Sequence, residues 1–275
     1  MSLGPFDWTG GPFLILYLVL LVTVVIAGVM IPAWQLPEGR RQKVSDPDQL
    51  ALLAGGRARL ADSVVARLLA GRALVMNGKD KLDVRMRNGS SAAENSVLAL
   101  TSPLDWTRIE RTLRPTADSL NDRLQRVGLM LTSSERANLR YWALLPYLTL
   151  LMFGATKWFI GEARDRPIGF LTVLLIVTAI LALIRALTIP KLTYAGTAAL
   201  GDAREEADRI RRAPLAGEVG LAVALFGTGV LVGSEFGAFH TMRAASGGDS
   251  GASGGDSGGG DGGGCGGGGC GGCGG

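Results

Sequence analysis

The chain has 275 residues, 47% of them hydrophobic and 19% charged, with a mean hydropathy of +0.27 and a formal net charge of +4. Apolar runs of about twenty residues with at most one charge each, which a soluble domain of this length rarely needs, recur along it and argue against a wholly soluble protein. A single histidine and, outside the Gly-rich tail, the lack of any G-x-S-x-G, H-E-x-x-H, Walker or dinucleotide motif leave hydrolase, transferase and other enzyme readings without a foothold.

In chain order, residues 1–12 carry no Lys or Arg and read as an extracytoplasmic N-terminus. Residues 13–33, FLILYLVLLVTVVIAGVMIPA, are uncharged and long enough to cross a bilayer as a helix. The positive charges follow this run as PEGRRQK rather than preceding it, which favours an uncleaved helix over a signal peptide.

Residues 38–140 form the longest polar stretch, with 18 Lys+Arg against 12 Asp+Glu. Asp46 as N-cap, Pro47 at the first helical position and Gly55 beyond the end predict a short helix. A second helix carries Leu60, Val64, Leu68, Val65 and Leu69 at helical spacing and closes at Gly71. The alternation around Asn77–Gly78 predicts a β-hairpin. Helix, helix, hairpin is the outline of a small winged-helix-like module. A helix over Ala92–Leu100 follows, then two more separated at Pro115 and closed by Gly128. Thr132-Ser-Ser-Glu135 is a capping box that starts the next helix. The basic residues are scattered rather than massed on the second helix (Arg57, Arg59, Arg67, Arg72), which argues for a protein-contact or lipid-proximal role over nucleic-acid binding.

Residues 141–160 and 168–188 give a second and a third span, and 216–239 a fourth. Between the last two, residues 189–215 form a polar loop with an amphipathic helix, in which Glu205/Arg209 and Asp208/Arg212 are i,i+4 pairs. On the fourth span Gly229, Gly233 and Gly237 stand four apart, a bare stripe suited to helix packing or a homodimer. Glu235 and Lys157, both near outer helix ends, are a possible ion pair.

Residues 246–275 are Gly-rich, too poor in apolar side chains to fold, and are expected to be disordered. They hold Cys265, Cys270 and Cys273, which with His240 are the candidate metal ligands; no cofactor is otherwise implied. Arg40, Arg41, Lys43, Arg136 and Arg140 sit beside membrane spans, so the positive-inside rule places 38–140 in the cytoplasm and, with four spans, both termini outside.

The stretches PDQLALLAGG, GEARDRPIGFL and PKLTYAGTAAL, together with the tail, resemble a family of uncharacterised bacterial membrane proteins with a Gly/Cys-rich low-complexity C-terminus. That resemblance implies a bacterial cytoplasmic membrane and an architecture; no activity or functional residue comes with it. The expected fold is thus an all-α membrane protein of four transmembrane helices with a cytoplasmic α+β, winged-helix-like insertion. The expected function is non-enzymatic: binding or scaffolding a protein partner through 38–140 at the lipid bilayer of the cell envelope. The alternative is metal or thiol handling by the cysteines of the tail.

Overall fold

The computed structural model describes residues 10–78, 80–162, 169–212 and 214–246. Its helices are α1 (Gly10–Gln35), α2 (Pro47–Ala70), α3 (Ala92–Leu98), α4 (Trp106–Val127), α5 (Ser133–Glu162), α6 (Gly169–Leu187), α7 (Tyr194–Glu206), α8 (Asp208–Arg212), α9 (Val219–Phe226) and α10 (Gly237–Ala245). Strands β1 (Leu74–Asn77) and β2 (Lys81–Val84) form one antiparallel hairpin, with Leu74 opposite Val84 and Asn77 opposite Lys81.

Three helices, α1, α5 and α6, are long and apolar enough to cross a membrane. They pack on one another through Phe13, Tyr17, Leu21, Leu150 and Leu171, while Ile15, Val22, Met152, Val173 and Leu183 stay exposed on their outer surfaces. Side chains that would be unfavourable in water are where lipid tails can cover them. Two glycines set the helix spacing. A Cβ on Gly154 would lie 2.7 Å from the Tyr17 ring, and one on Gly28 would lie 2.6 Å from the Tyr147 ring. Close approach at small residues replaces the hydrophobic drive that lipid does not supply.

The second body is a helical domain assembled from two separated stretches of chain, 44–131 and 192–245, sharing one apolar core. Helix α2 runs through its centre. Asp46 caps it by accepting from the Asp48 amide at 3.1 Å, and Gly56, at φ +71°, bends it into the two segments expected from the sequence. The second segment is buried on nearly every side, from Arg59 to Leu69, because α4, α9 and the hairpin end pack around it. Even its polar residues Arg59, Asp62 and Ser63 are buried, so the segment keeps no open face. It therefore cannot serve as the exposed reading helix that the winged-helix outline requires.

Two expectations are corrected here. Residues 216–239 are not one membrane helix: they form a 3₁₀ turn (Ala216–Glu218), α9, a second 3₁₀ turn (Thr228–Leu231) and the start of α10. Gly227 at φ +91° and Gly233 at φ +80° take conformations that interrupt a helix. The apolar residues of α9 face α2 rather than lipid. Gly229, Gly233 and Gly237 accordingly fall in three different local structures and form no packing stripe.

The other correction concerns Pro115, which lies inside α4 rather than between two helices. Ile109, Leu113, Ala117 and Leu124 continue one buried face through it, and that burial outweighs the lost backbone hydrogen bond. Helix α3 ends at Leu98, just short of the expected Leu100.

Candidate functional site

Where the membrane helices join the domain, three connections are laced together into a collar. The Tyr194 and Ala195 amides donate to Pro37 O and Glu38 O at 3.1 and 2.8 Å, and the Leu131 amide to Lys191 O at 3.0 Å. Thr193 Oγ1 donates to Gly128 O at 2.7 Å. Such lacing needs bare backbone: a Cβ on Gly196 would stand 2.1 Å from Leu129 O, and one on Gly39 would stand 2.3 Å from Gly128 O. Leu131, Leu139, Ile189 and Leu36 fill the space under the collar. The Thr132–Glu135 capping box forms as expected: Glu135 accepts from the Thr132 amide at 2.8 Å, and the Glu135 amide donates to Thr132 Oγ1 at 3.3 Å. These bonds from Thr132, backbone first and hydroxyl second, hold the Glu135 carboxyl below its usual range.

Inside the bundle the polar groups answer one another. Pro32 has no N–H, so the Gly28 carbonyl four residues earlier loses its helical donor. Arg185 on α6 supplies the replacement, its Nε donating to Gly28 O at 2.7 Å. Tyr17 and Thr178 share a hydrogen bond of 3.1 Å, and the Trp158 indole donates to Thr172 at 3.0 Å. Lys157 lies 5.0 Å from the Phe13 ring centroid, at the end of the bundle distant in sequence from the collar. Its suggested partner Glu235 instead lines a depression of the domain with Pro214 and Phe236.

The domain holds a buried ion pair across the two stretches of chain. Arg243 Nε donates to Asp62 Oδ1 at 2.6 Å, with both side chains 3% exposed or less. The guanidinium stacks 3.8 Å from the Trp106 ring centroid and also donates to Ser246 Oγ at 2.9 Å. Full hydrogen bonding and a cation–π face are what make a buried charge tolerable. Nearby, Arg67 bridges Asp48 at 2.6 Å and Glu94 at 2.8 Å. Burial alone would raise the Glu94 pKa, but bonds from Ser90 and from Arg67 outweigh it and leave the carboxyl below its usual value. Ser63 and Arg59 donate to Gly220 O and Val223 O, fastening α9 to α2.

On the outer face of the domain, a groove of about 480 Å³ runs between α2 and α4. Leu113, Ala117 and Ala58 make its floor, and Arg57, Arg111, Arg114 and Glu110 its rim. Arg57 is paired with Asp118, while Arg111 and Arg114 project into solvent. The groove's mixed floor and rim suit a protein side chain better than a small metabolite.

The sequence-derived candidates are dispersed. His240 accepts or shares a 3.0 Å hydrogen bond with Thr228 inside the domain. Cys265, Cys270 and Cys273 lie outside the described residues. Among the described residues no group of three His, Cys, Asp or Glu is placed to hold a metal. Of the i,i+4 pairs, Asp208–Arg212 forms at 2.5 Å, whereas Arg209 turns to Glu218 instead of Glu205. The Asp62–Arg243 and Gly28–Arg185 contacts were not anticipated. The second had a signal, since a proline within an apolar run announces an orphan carbonyl four residues before it. No family model, curated protein or solved structure matches the chain.

Proposed function

We propose that this chain is a multi-pass protein of a bacterial cytoplasmic membrane in which three helices anchor a domain that docks a protein partner. The Arg-rimmed groove between α2 and α4 is the observation that carries the reading, because it combines apolar floor area with cations free to meet an acidic surface. The burial of the second segment of α2 weighs against nucleic acid, since the helix that would enter a groove has no free face. The resemblance to bacterial membrane proteins with Gly/Cys-rich tails supports the cellular setting.

The same reading orients the protein. Arg40, Arg41, Lys43, Arg136, Arg140 and Lys191 cluster at the domain end of the helices, which favours a cytoplasmic domain. With three crossings the N-terminus is then outside, and residues 237–246, held to Asp62 through Arg243, share the cytoplasmic side. Thiol oxidation by the tail outside the cell does not fit this reading, because it would need a fourth crossing.

The test is capture of the intact protein from detergent-solubilised native membranes, comparing wild type with the double charge reversal Arg111→Glu/Arg114→Glu. A defined partner present with wild type and depleted at least severalfold with the variant is expected. Identical protein sets from both would reject the groove as the docking surface.

A further inference from the structure

The collar carries a second feature that its packing does not use. Arg136, on the first turn of α5, is half-buried, and its Nε is the one buried side-chain nitrogen or oxygen among the described residues with no hydrogen-bond partner. A guanidinium nitrogen withdrawn from water without an acceptor is costly unless a ligand supplies one. Arg140 follows one helical turn later; Lys191, whose carbonyl accepts from the Leu131 amide, and Arg40, whose amide lies beside Gly128, stand on the connections of the collar. None of these four cations has an ion-pair partner among the described residues, although Lys43, three residues beyond Arg40, binds Glu206 at 2.6 Å. Of the acids close by, Glu135 and Glu38 are both exposed, and the Glu135 carboxylate is bonded to Thr132.

The level of this cluster relative to the bilayer follows from helix register. Leu36 packs with Leu139 and Gly28 with Tyr147, so α1 and α5 run antiparallel with Trp34 level with Tyr141. Trp34 and Tyr141 are exposed, and exposed Trp and Tyr at the ends of apolar helices mark the headgroup boundary. Arg136 and Arg140 therefore lie just at or beyond that boundary, at the depth of lipid phosphates.

We propose that the collar is a binding site for the phosphate of an anionic phospholipid, with Arg136 as the central donor and Arg140, Arg40 and Lys191 around it. Guanidinium forks match phosphate oxygens in pairs, which sets such a site apart from a diffuse layer of lipid around point charges. This inference rests on the membrane reading above.

The full-length protein in detergent would be offered phosphatidylglycerol or phosphatidylcholine with the same acyl chains, and bound lipids counted by native mass spectrometry. Wild type should retain phosphatidylglycerol preferentially. Arg136→Gln should weaken that retention about fivefold, Arg136→Lys should recover part of it, and Arg111→Gln in the distant groove should change nothing. Should Arg136→Gln not purify as a single species, the exposed pair Arg140→Gln/Lys191→Gln carries the same expectation. Equal retention of both lipids, or undiminished phosphatidylglycerol on the neutralised variants, overturns the proposal. Displacement of lipid by millimolar inorganic phosphate overturns it too, in favour of a free-phosphate site. Carbonate extraction of wild-type membranes separates the two readings: release of the protein sinks the membrane reading itself, whereas a retained protein without lipid preference sinks only this site.

Discussion

Gly28, Pro32 and Arg185 show how one residue's deficit sets another's position. Pro32 leaves the Gly28 carbonyl without its helical donor, and in hydrocarbon no water can replace it. Arg185 reaches across from α6 to do so at 2.7 Å, which also gives an intramembrane cation a fixed partner. Arg185→Leu should therefore destabilise the detergent-purified protein by about 1–3 kcal/mol, the cost of a buried acceptor left unmade. Pro32→Ala restores the backbone N–H, so Pro32→Ala/Arg185→Leu should regain most of that loss. Thermal unfolding midpoints of the three variants check this; a double variant no more stable than Arg185→Leu would mean the arginine acts otherwise.

At the scale of elements, α10 is held to the domain by a charge. Arg243 is 1% exposed, stacked on Trp106 and bonded to Asp62, so its removal takes a guanidinium away from a buried carboxylate. Arg243→Met should cost about 3–5 kcal/mol, and Asp62→Leu/Arg243→Met distinctly less, because the double variant removes both members of this ion pair. Urea titration of the full chain in detergent distinguishes them, and equal losses would show that packing rather than charge fastens α10. The elements themselves were legible where their signals are local: the Asp46 cap, the Thr132–Glu135 box, the left-handed Gly128 at the end of α4 and the hairpin at Gly78 all form. Pro115 misled because a local breaker was weighed without the apolar period that runs through it. Residues 216–239 misled for a different reason. Hydropathy reports that a segment leaves water, not whether it enters lipid or protein. The missing constraint lay in α2, where Leu60, Val64 and Leu68 on one side and Val65 and Leu69 on another require two covering partners. Segment 219–226 is one of them, and Gly220 lets it approach, since a Cβ there would stand 2.0 Å from Arg67 Cγ.

For the whole molecule, the three-crossing arrangement proposed above would put the two ends of the chain on opposite sides of the membrane. A protein whose only cysteine is Cys270 should resist a membrane-impermeant maleimide in intact spheroplasts and react after lysis, as should Ser90→Cys in a cysteine-free background. Glu162→Cys, at the far end of α5, should react without lysis. Labelling of Cys270 in intact spheroplasts while Ser90→Cys stays protected would require a further crossing and overturn the three-span arrangement.

The domain's division into two stretches also has a consequence for how the protein is made. The ribosome delivers residues 44–131 first, but the helices that cover α2 on its other side, α7, α9 and α10, emerge only after α5 and α6 have been synthesised. Until then the side of α2 that meets α7 and α9 has no permanent cover, and the closing contact between Asp62 and Arg243 spans nearly the whole of the domain's length in sequence. Completion of the core thus waits on completion of the anchor. A chain interrupted after α6 would be inserted in the membrane yet carry an open, protease-accessible domain, so membrane insertion and a closed core are coupled into a single test of a finished protein.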